Sequence, residues 1–256
     1  MAIMELLILP VVLAQSRQAP QPDQIAIARE TLSADRQVRN RAVRAAAAIA
    51  PANVNQTLRT ALITLLAQQN ETVQEAIGRG ITLDTLEDPE FISAVARIVA
   101  GLNDDQAIPV LAGALGMGNV NRALADFGEK AVPFVVDVVT SKSAHYSAVD
   151  DGLRVLRLIV EGKRPRPLSG STMAAIRQAA QQRLTGEQYF TTVWNAIDLA
   201  IALNDPKLRE IVQSLASDPN EIVARGITDI NDLRLIEMTQ KRAAERLAGV
   251  PAMPRP

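Results

Sequence analysis

Apolar residues recur along this chain at three- and four-residue intervals, the spacing that gathers them on one face of a helix. Val38, Ala42, Ala45, Ala46 and Ile49 form one such stripe behind Asp35, which caps the helix start. Asp23 to Leu32 reads as a preceding helix with its own Asp cap. Pro51 and Asn53 end the second helix and start the next. Asn53 to Ala67 and Glu71 to Gly78 then read as a further hairpin that Gly80 terminates. Asp88-Pro89, Asp205-Pro206 and Asp218-Pro219 each set a carboxylate directly before proline. The carboxylate accepts from an orphan backbone N–H, and proline at the first helical position loses no bond by lacking its own, so each pair predicts a helix start. Ser141 to Ser147 reads as a turn or a helix entry. Helices follow over Ala148 to Val160, Ser171 to Leu184, Glu187 to Leu203, Lys207 to Ala216 and Ile230 to Leu247. Lys163 to Gly170 carries two prolines and a glycine that forbid regular helix and mark a mild boundary. Nothing reads as strand.

Parts of this pattern repeat. Ala107-Ile108-Pro109-Val110-Leu111 returns as Ala131-Val132-Pro133-Phe134-Val135, with Asn121 to Gly128 between them. An apolar helix with an internal proline, a second Ala/Leu helix, a Gly stop and a fresh start describe a stacked helical hairpin. One hairpin cannot bury its apolar face alone, so the pattern predicts an all-α, α-solenoid architecture. Leu102-Asn103-Asp104-Asp105 also returns as Leu203-Asn204-Asp205-Pro206, and Arg79-Gly80-Ile81-Thr82 as Arg225-Gly226-Ile227-Thr228. The 256 residues suffice for about six hairpins of roughly 40 residues within one repeat domain over 23–249, ahead of a Pro-rich tail at 250–256.

Composition narrows the chemistry. Apolar residues make up 48% of the chain and aromatics 3%, so the core must be built from Ala, Leu, Ile and Val. A net charge of −1 speaks against nucleic-acid binding, which wants a strongly basic surface. The absence of cysteine excludes disulfides, thiolate catalysis and Cys-based zinc sites, and the single histidine, His145, excludes a His-rich metal site within one chain. No cofactor is expected. Leu6 to Ala14 is an unbroken apolar run, too short to span a bilayer and suited to a signal peptide cleaved before Gln15. The expected product begins with a polar stretch over 15–22, has no stable membrane span and is periplasmic or secreted. Met1 to Glu5 departs from the signal pattern by lacking Lys and Arg. The alternative is an apolar N-terminal helix packed on the end of the fold in a cytoplasmic protein.

These residues resemble the HEAT-repeat family, particularly its short bacterial kind. The proline in the apolar first helix (Pro109, Pro133) and a second helix reading Val-Arg before spaced alanines (Asp35, Val38, Arg39, Ala42, Ala46) carry the likeness. Val120, Arg122, Ala123, Leu124, Ala125 and Gly128 fit it in part. The likeness runs from Asp35 to Val139, whereas the C-terminal third keeps the helix lengths without the motif. The resemblance implies a right-handed superhelix of helix pairs with a concave surface.

Candidate sites are few. Arg36, Arg41 and Arg44, with Arg29 and Arg39, face only Glu30 and Asp35 as nearby acids. They read either as a patch for an anionic partner or as a solvated face, with Arg39 bonding to the next repeat's turn. Lys163, Arg164 and Arg166 read as a partner contact or a solvated connector. His145-Tyr146 with Asp150-Asp151 falls at a helix start, where Asp is ordinary capping material. Trp194 and Asp198 share a helix face. Some HEAT-like DNA-repair glycosylases are similar in pairing Trp with Asp, and the plainer reading is a Trp in the core among Tyr189, Phe190 and Ile197. Gly113, Gly116 and Gly118 lack the spacing and Lys-Ser/Thr end of a phosphate loop. The expected function is a non-catalytic scaffold for a protein or peptide partner. The alternatives are a cytoplasmic HEAT-like enzyme, resembling a phycobilisome chromophore lyase or a DNA-repair glycosylase, and a plain structural spacer.

Overall fold

The computed structural model describes residues 23–80, 89–163, 166–186, 189–226 and 232–249. The expected signal segment, Asp88, Arg164 and the C-terminal tail lie outside them. The described residues form α-helices joined by turns and 3-10 segments, with no strand. In chain order the helices are α1 (Gln24–Thr31), α2 (Arg36–Ala47), α3 (Gln56–Gly78), α4 (Pro89–Gly101), α5 (Ile108–Gly113) and α6 (Asn121–Asp126). They continue as α7 (Val132–Thr140), α8 (Tyr146–Glu161), α9 (Gly170–Thr185), α10 (Phe190–Leu203), α11 (Pro206–Ser217), α12 (Pro219–Val223) and α13 (Asp232–Ala248).

The packing follows chain order. The pairs α1 with α2, α3 with α4, α5 with α6, α7 with α8, α9 with α10 and α11 with α13 each pack together. Consecutive pairs meet twice. One set of contacts runs through α1, α3, α5, α7, α9 and α11, and the other through α2, α4, α6, α8, α10 and α13. The core lies between these two sets. Leu58, Leu62, Leu65 and Leu66 of α3 are fully buried at helical spacing, as are Leu153, Leu156 and Ile159 of α8. Each such side chain contributes about 1.5–3 kcal/mol by leaving water. On α8, Gly152 permits close approach to α7, since a Cβ there would fall 2.6 Å from Val139 Cγ2.

Local signals account for most boundaries. Asp23, Asp35, Asp205 and Asp218 accept the first-turn amides of α1, α2, α11 and α12. The sequence repeats are also conformational repeats. Asn103 and Asn204 both turn left-handed at φ 48°, each followed by a capping Asp. Asn tolerates this region better than most side chains. Gly80 and Gly226, each behind an Arg, sit at φ 80° and 84°. Ile108 (φ −55°, ψ −48°) and Val132 (φ −55°, ψ −47°) are nearly superposable, and both follow a buried alanine at the end of a 3-10 turn.

Two expectations are corrected. Pro109 and Pro133 are not internal to their helices; they occupy the first turns of α5 and α7, where a missing N–H costs nothing. Asn53 to Gly78 does not form a hairpin, because α3 runs unbroken through Gln68-Gln69-Asn70. Neither Gly nor Pro interrupts that stretch. The Asn70 side chain is buried and donates Nδ2 to Val110 O at 2.8 Å, so it joins α3 to α5 instead of making a turn.

Candidate ligand cavity

Several side-chain hydrogen bonds between pairs span about 40–45 residues, whereas those of Gln24 and Asp151 span fewer. Asn70 Nδ2 donates to Val110 O across 40 residues, Gln182 Nε2 to Thr140 O across 42 and Arg157 Nη1 to Asp198 Oδ2 across 41. Thr192 Oγ1 donates to Asp150 Oδ1 across 42 residues, and Trp194 Nε1 to Thr239 Oγ1 across 45. Each bond reaches one helix pair along the chain.

Two members of this series are buried arginines. Arg183, near the end of α9, donates Nε to Val139 O and Nη2 to Ser141 O, satisfying carbonyls at the end of α7. Burial lowers its pKa from the ordinary arginine value. That value stands so far above neutrality that the guanidinium keeps its charge. Arg225, just past α12, donates Nε to Leu184 O and Nη1 to Glu221 Oε2.

Both arginines wall a cavity of about 400 Å³. Lys142 contributes from the turn after α7, and Thr192 from the first turn of α10. Tyr146 and Tyr189, at the starts of α8 and α10, also line it, their ring centroids 4.5 Å apart and their planes tilted by 36°. They are 41% and 62% exposed. Tyr189 is the N-cap of α10 and offers no side-chain capping bond there. Two exposed tyrosines thus stand beside buried, fixed cations.

The sequence candidates fall elsewhere. Arg36, Arg41 and Arg44 are exposed on α2, and Arg44 donates Nε to Asn40 O at 3.4 Å. Arg39 donates Nη1 to Ser33 O at 2.9 Å and lies over the Phe91 ring. It therefore holds the turn of its own pair, not the next one. Lys163 and Arg166 are exposed on the α8–α9 connector, and Arg164 lies outside the described residues. These basic groups sit on separate elements, none of which walls the cavity.

The acids near His145 do not cap α8. His145 does so itself, its Nδ1 accepting from Ser147 N. Asp150 is buried against Thr192, and Asp151 accepts from Gly116 N at 3.1 Å and Asn121 Nδ2 at 2.9 Å. Trp194 and Asp198 do share a face, but Asp198 is ion-paired with three arginines: Arg157 (2.8 Å), Arg242 (2.7 Å) and Arg246 (2.9 Å). Trp194 is half-buried beside Phe190 and under the Arg242 guanidinium, whereas Tyr189 lies outside the core. Among the described residues no group of three or more His, Asp or Glu is placed to hold a metal ion, and no helix is long and apolar enough to cross a membrane.

Arg183, Arg225 and Tyr189 were not singled out as site residues from the sequence. Their partners lie about 42 residues away, so no local pattern marks them. No protein-family model and no curated protein matches the chain. Among solved structures, the crystal structure of an engineered protein is similar at 17% identity, covering 88% of this chain and 98% of that one, with a TM-score of 0.37.

Proposed function

We propose that the chain is a HEAT-like α-solenoid acting as a non-catalytic scaffold for a protein or peptide partner, exported to the bacterial envelope or beyond. The observation that carries this reading is the recurrence of the inter-pair bonds. Side chains that bond to the adjacent pair, again and again, suit a stack with nearest-neighbour interfaces. Such a stack holds its surface side chains in fixed places, so a partner loses little freedom of the scaffold on binding.

Two measurements test it. A photo-crosslinking residue is placed at Tyr189 and, as a control, at the exposed Lys241, in cells expressing the full chain. A discrete heavier species from Tyr189 alone is expected; equal or no adducts from the two positions overturn the scaffold reading. Intact mass and cell fractionation test export. A periplasmic product beginning at Gln15 is expected, and a cytoplasmic product retaining Met1 overturns that part.

A further inference from the structure

We propose that the groove between α2 and α4 receives an acidic peptide segment, one aliphatic side chain seated in a hollow at its end and carboxylates set against Arg44 and Arg97. The inference rests on the scaffold reading and names the chemistry of its partner.

The geometry begins with two helices laid side by side. Arg39, near the start of α2, lies 5.7 Å from the ring centroid of Phe91, near the start of α4. Ala47, at the end of α2, shares a hollow with Ile98 and Gly101, at the end of α4. The two helices therefore run in the same direction. The hollow has a volume of about 220 Å³, and Ile49, Val54 and Leu102 complete its apolar wall. It accommodates one branched aliphatic side chain. The turns beside it, 48–55 and 102–107, lie within the described residues.

Charge decides what flanks that side chain. The α2 helix carries four arginines and no acid. Arg36 and Arg39 have interactions of their own. Arg41 and Arg44 are exposed, and Arg44 reaches only the carbonyl of Asn40 on its own helix. Arg44 precedes Ala47 by three residues and so shares that side of α2, one turn below the hollow. Arg97, exposed on α4, lines the hollow directly. Among the described residues none of Arg41, Arg44 and Arg97 pairs with a carboxylate. Nearby acids are engaged elsewhere: Asp104 with Arg59 at 3.4 Å, Asp105 with Lys130, and Asp35 with the first-turn amides of α2. Glu90 stands in the first turn of α4, about 10 Å along the axis from Arg97. Guanidinium forks match carboxylates bidentately. An apolar hollow with charged groups at its edge suits a peptide anchor between acids. A phosphate backbone offers the arginines anions but gives the hollow no aliphatic side chain.

The test uses the full chain and three capped peptides. They are acetyl-Glu-Asp-Leu-Asp-Glu-amide, a neutral counterpart with Gln and Asn for the acids, and an acidic counterpart with Ala for Leu. Titrations are followed by amide shifts at Ala47 and Gly101. The acidic Leu peptide is expected to bind about tenfold more tightly than the neutral one, each exposed ion pair giving up to about fivefold. It is expected to bind about fivefold more tightly than the Ala peptide, because the hollow takes the larger apolar side chain out of water. Arg44→Glu and Arg97→Glu are each expected to abolish the acid preference with the melting temperature unchanged, since both sites are exposed. Gly101→Leu fills the hollow. Gly101 lies outside the left-handed region, and a Cβ there would fall 3.6 Å from Pro51 Cγ, an ordinary contact. That variant is expected to lose the preference for Leu over Ala and keep the preference for acid. Equal binding of the acidic and neutral peptides, an acid preference that survives Arg97→Glu, or equal binding of the Leu and Ala peptides each overturn the proposal. So does tighter binding of oligothymidine or phosphatidylglycerol vesicles at these residues, which would make the groove a nucleic-acid or membrane surface. A Tyr189 crosslink in cells without acid preference leaves the scaffold and removes the acidic segment. Acid preference without a crosslink does the reverse.

Discussion

The first two helix pairs and the last two are fastened differently. Between α1–α2 and α3–α4 the contact is chiefly apolar, built on Ala42, Ala46, Leu58 and Leu62, with Gln24 bonding the backbone at Asn53 and Asn55. Between α9–α10 and α11–α13 charged and polar groups cross the seam: Asp198 meets Arg242 and Arg246, Trp194 meets Thr239, and Arg225 reaches Leu184 O. The resemblance read from the sequence was drawn from the first region and not from the second. A motif of spaced alanines and leucines describes an apolar seam and is silent about a polar one, so a fading motif need not mean a different architecture.

That contrast can be broken from either side. Leu62→Ala, at a fully buried site of the apolar seam, is expected to cost about 3–4 kcal/mol of unfolding free energy in urea titrations. Asp198→Ala, in the polar seam, leaves three arginines facing one another. Because those arginines keep partial access to water, the expected loss is about 2–3 kcal/mol, below the full cost of a deeply buried pair. If Asp198→Ala is as mild as a surface change, the ion cluster does not hold the C-terminal pairs. Between the two regions, Asn70→Ala removes the bond to Val110 O and should cost about 1–2 kcal/mol, measured the same way. Asp205→Ala removes the cap of α11 and should lower stability by about 1 kcal/mol. At the small end, Arg41→Ser and Arg44→Ser on the exposed face of α2 should stay within about 0.5 kcal/mol, and larger losses would place them in the fold.

Legibility in the sequence tracks how far each interaction reaches. Caps such as Asp35 and Asp218 act on amides two or three residues ahead, so the sequence displays both partners together. The left-handed Asn103 and Asn204 were legible as a repeated tetrapeptide for the same reason. Asn70 misled because a polar triplet suggests a turn, and only the carbonyl of Val110, 40 residues on, explains a buried amide inside a helix. Trp194 and Asp198 could be placed on one face by spacing, but Arg157 and Arg242, which decide what that face does, come from other pairs. The cavity was the least legible of all, since its walls are drawn from α8, α9, α10 and the turns after α7 and α12.

The unbroken α3 has a mechanical consequence. At 23 residues it is about 34 Å long, the longest rigid rod among the described helices, and at Asn70 a hydrogen bond ties it to α5. Tension applied between the ends of a chain whose pairs fasten to their neighbours loads the seams in series, so the softest one governs extension. Because α3 is one unbroken rod held to α5 at Asn70, a load that reaches it from the amino side passes to α5 as a whole and not through a turn at Gln68-Gln69.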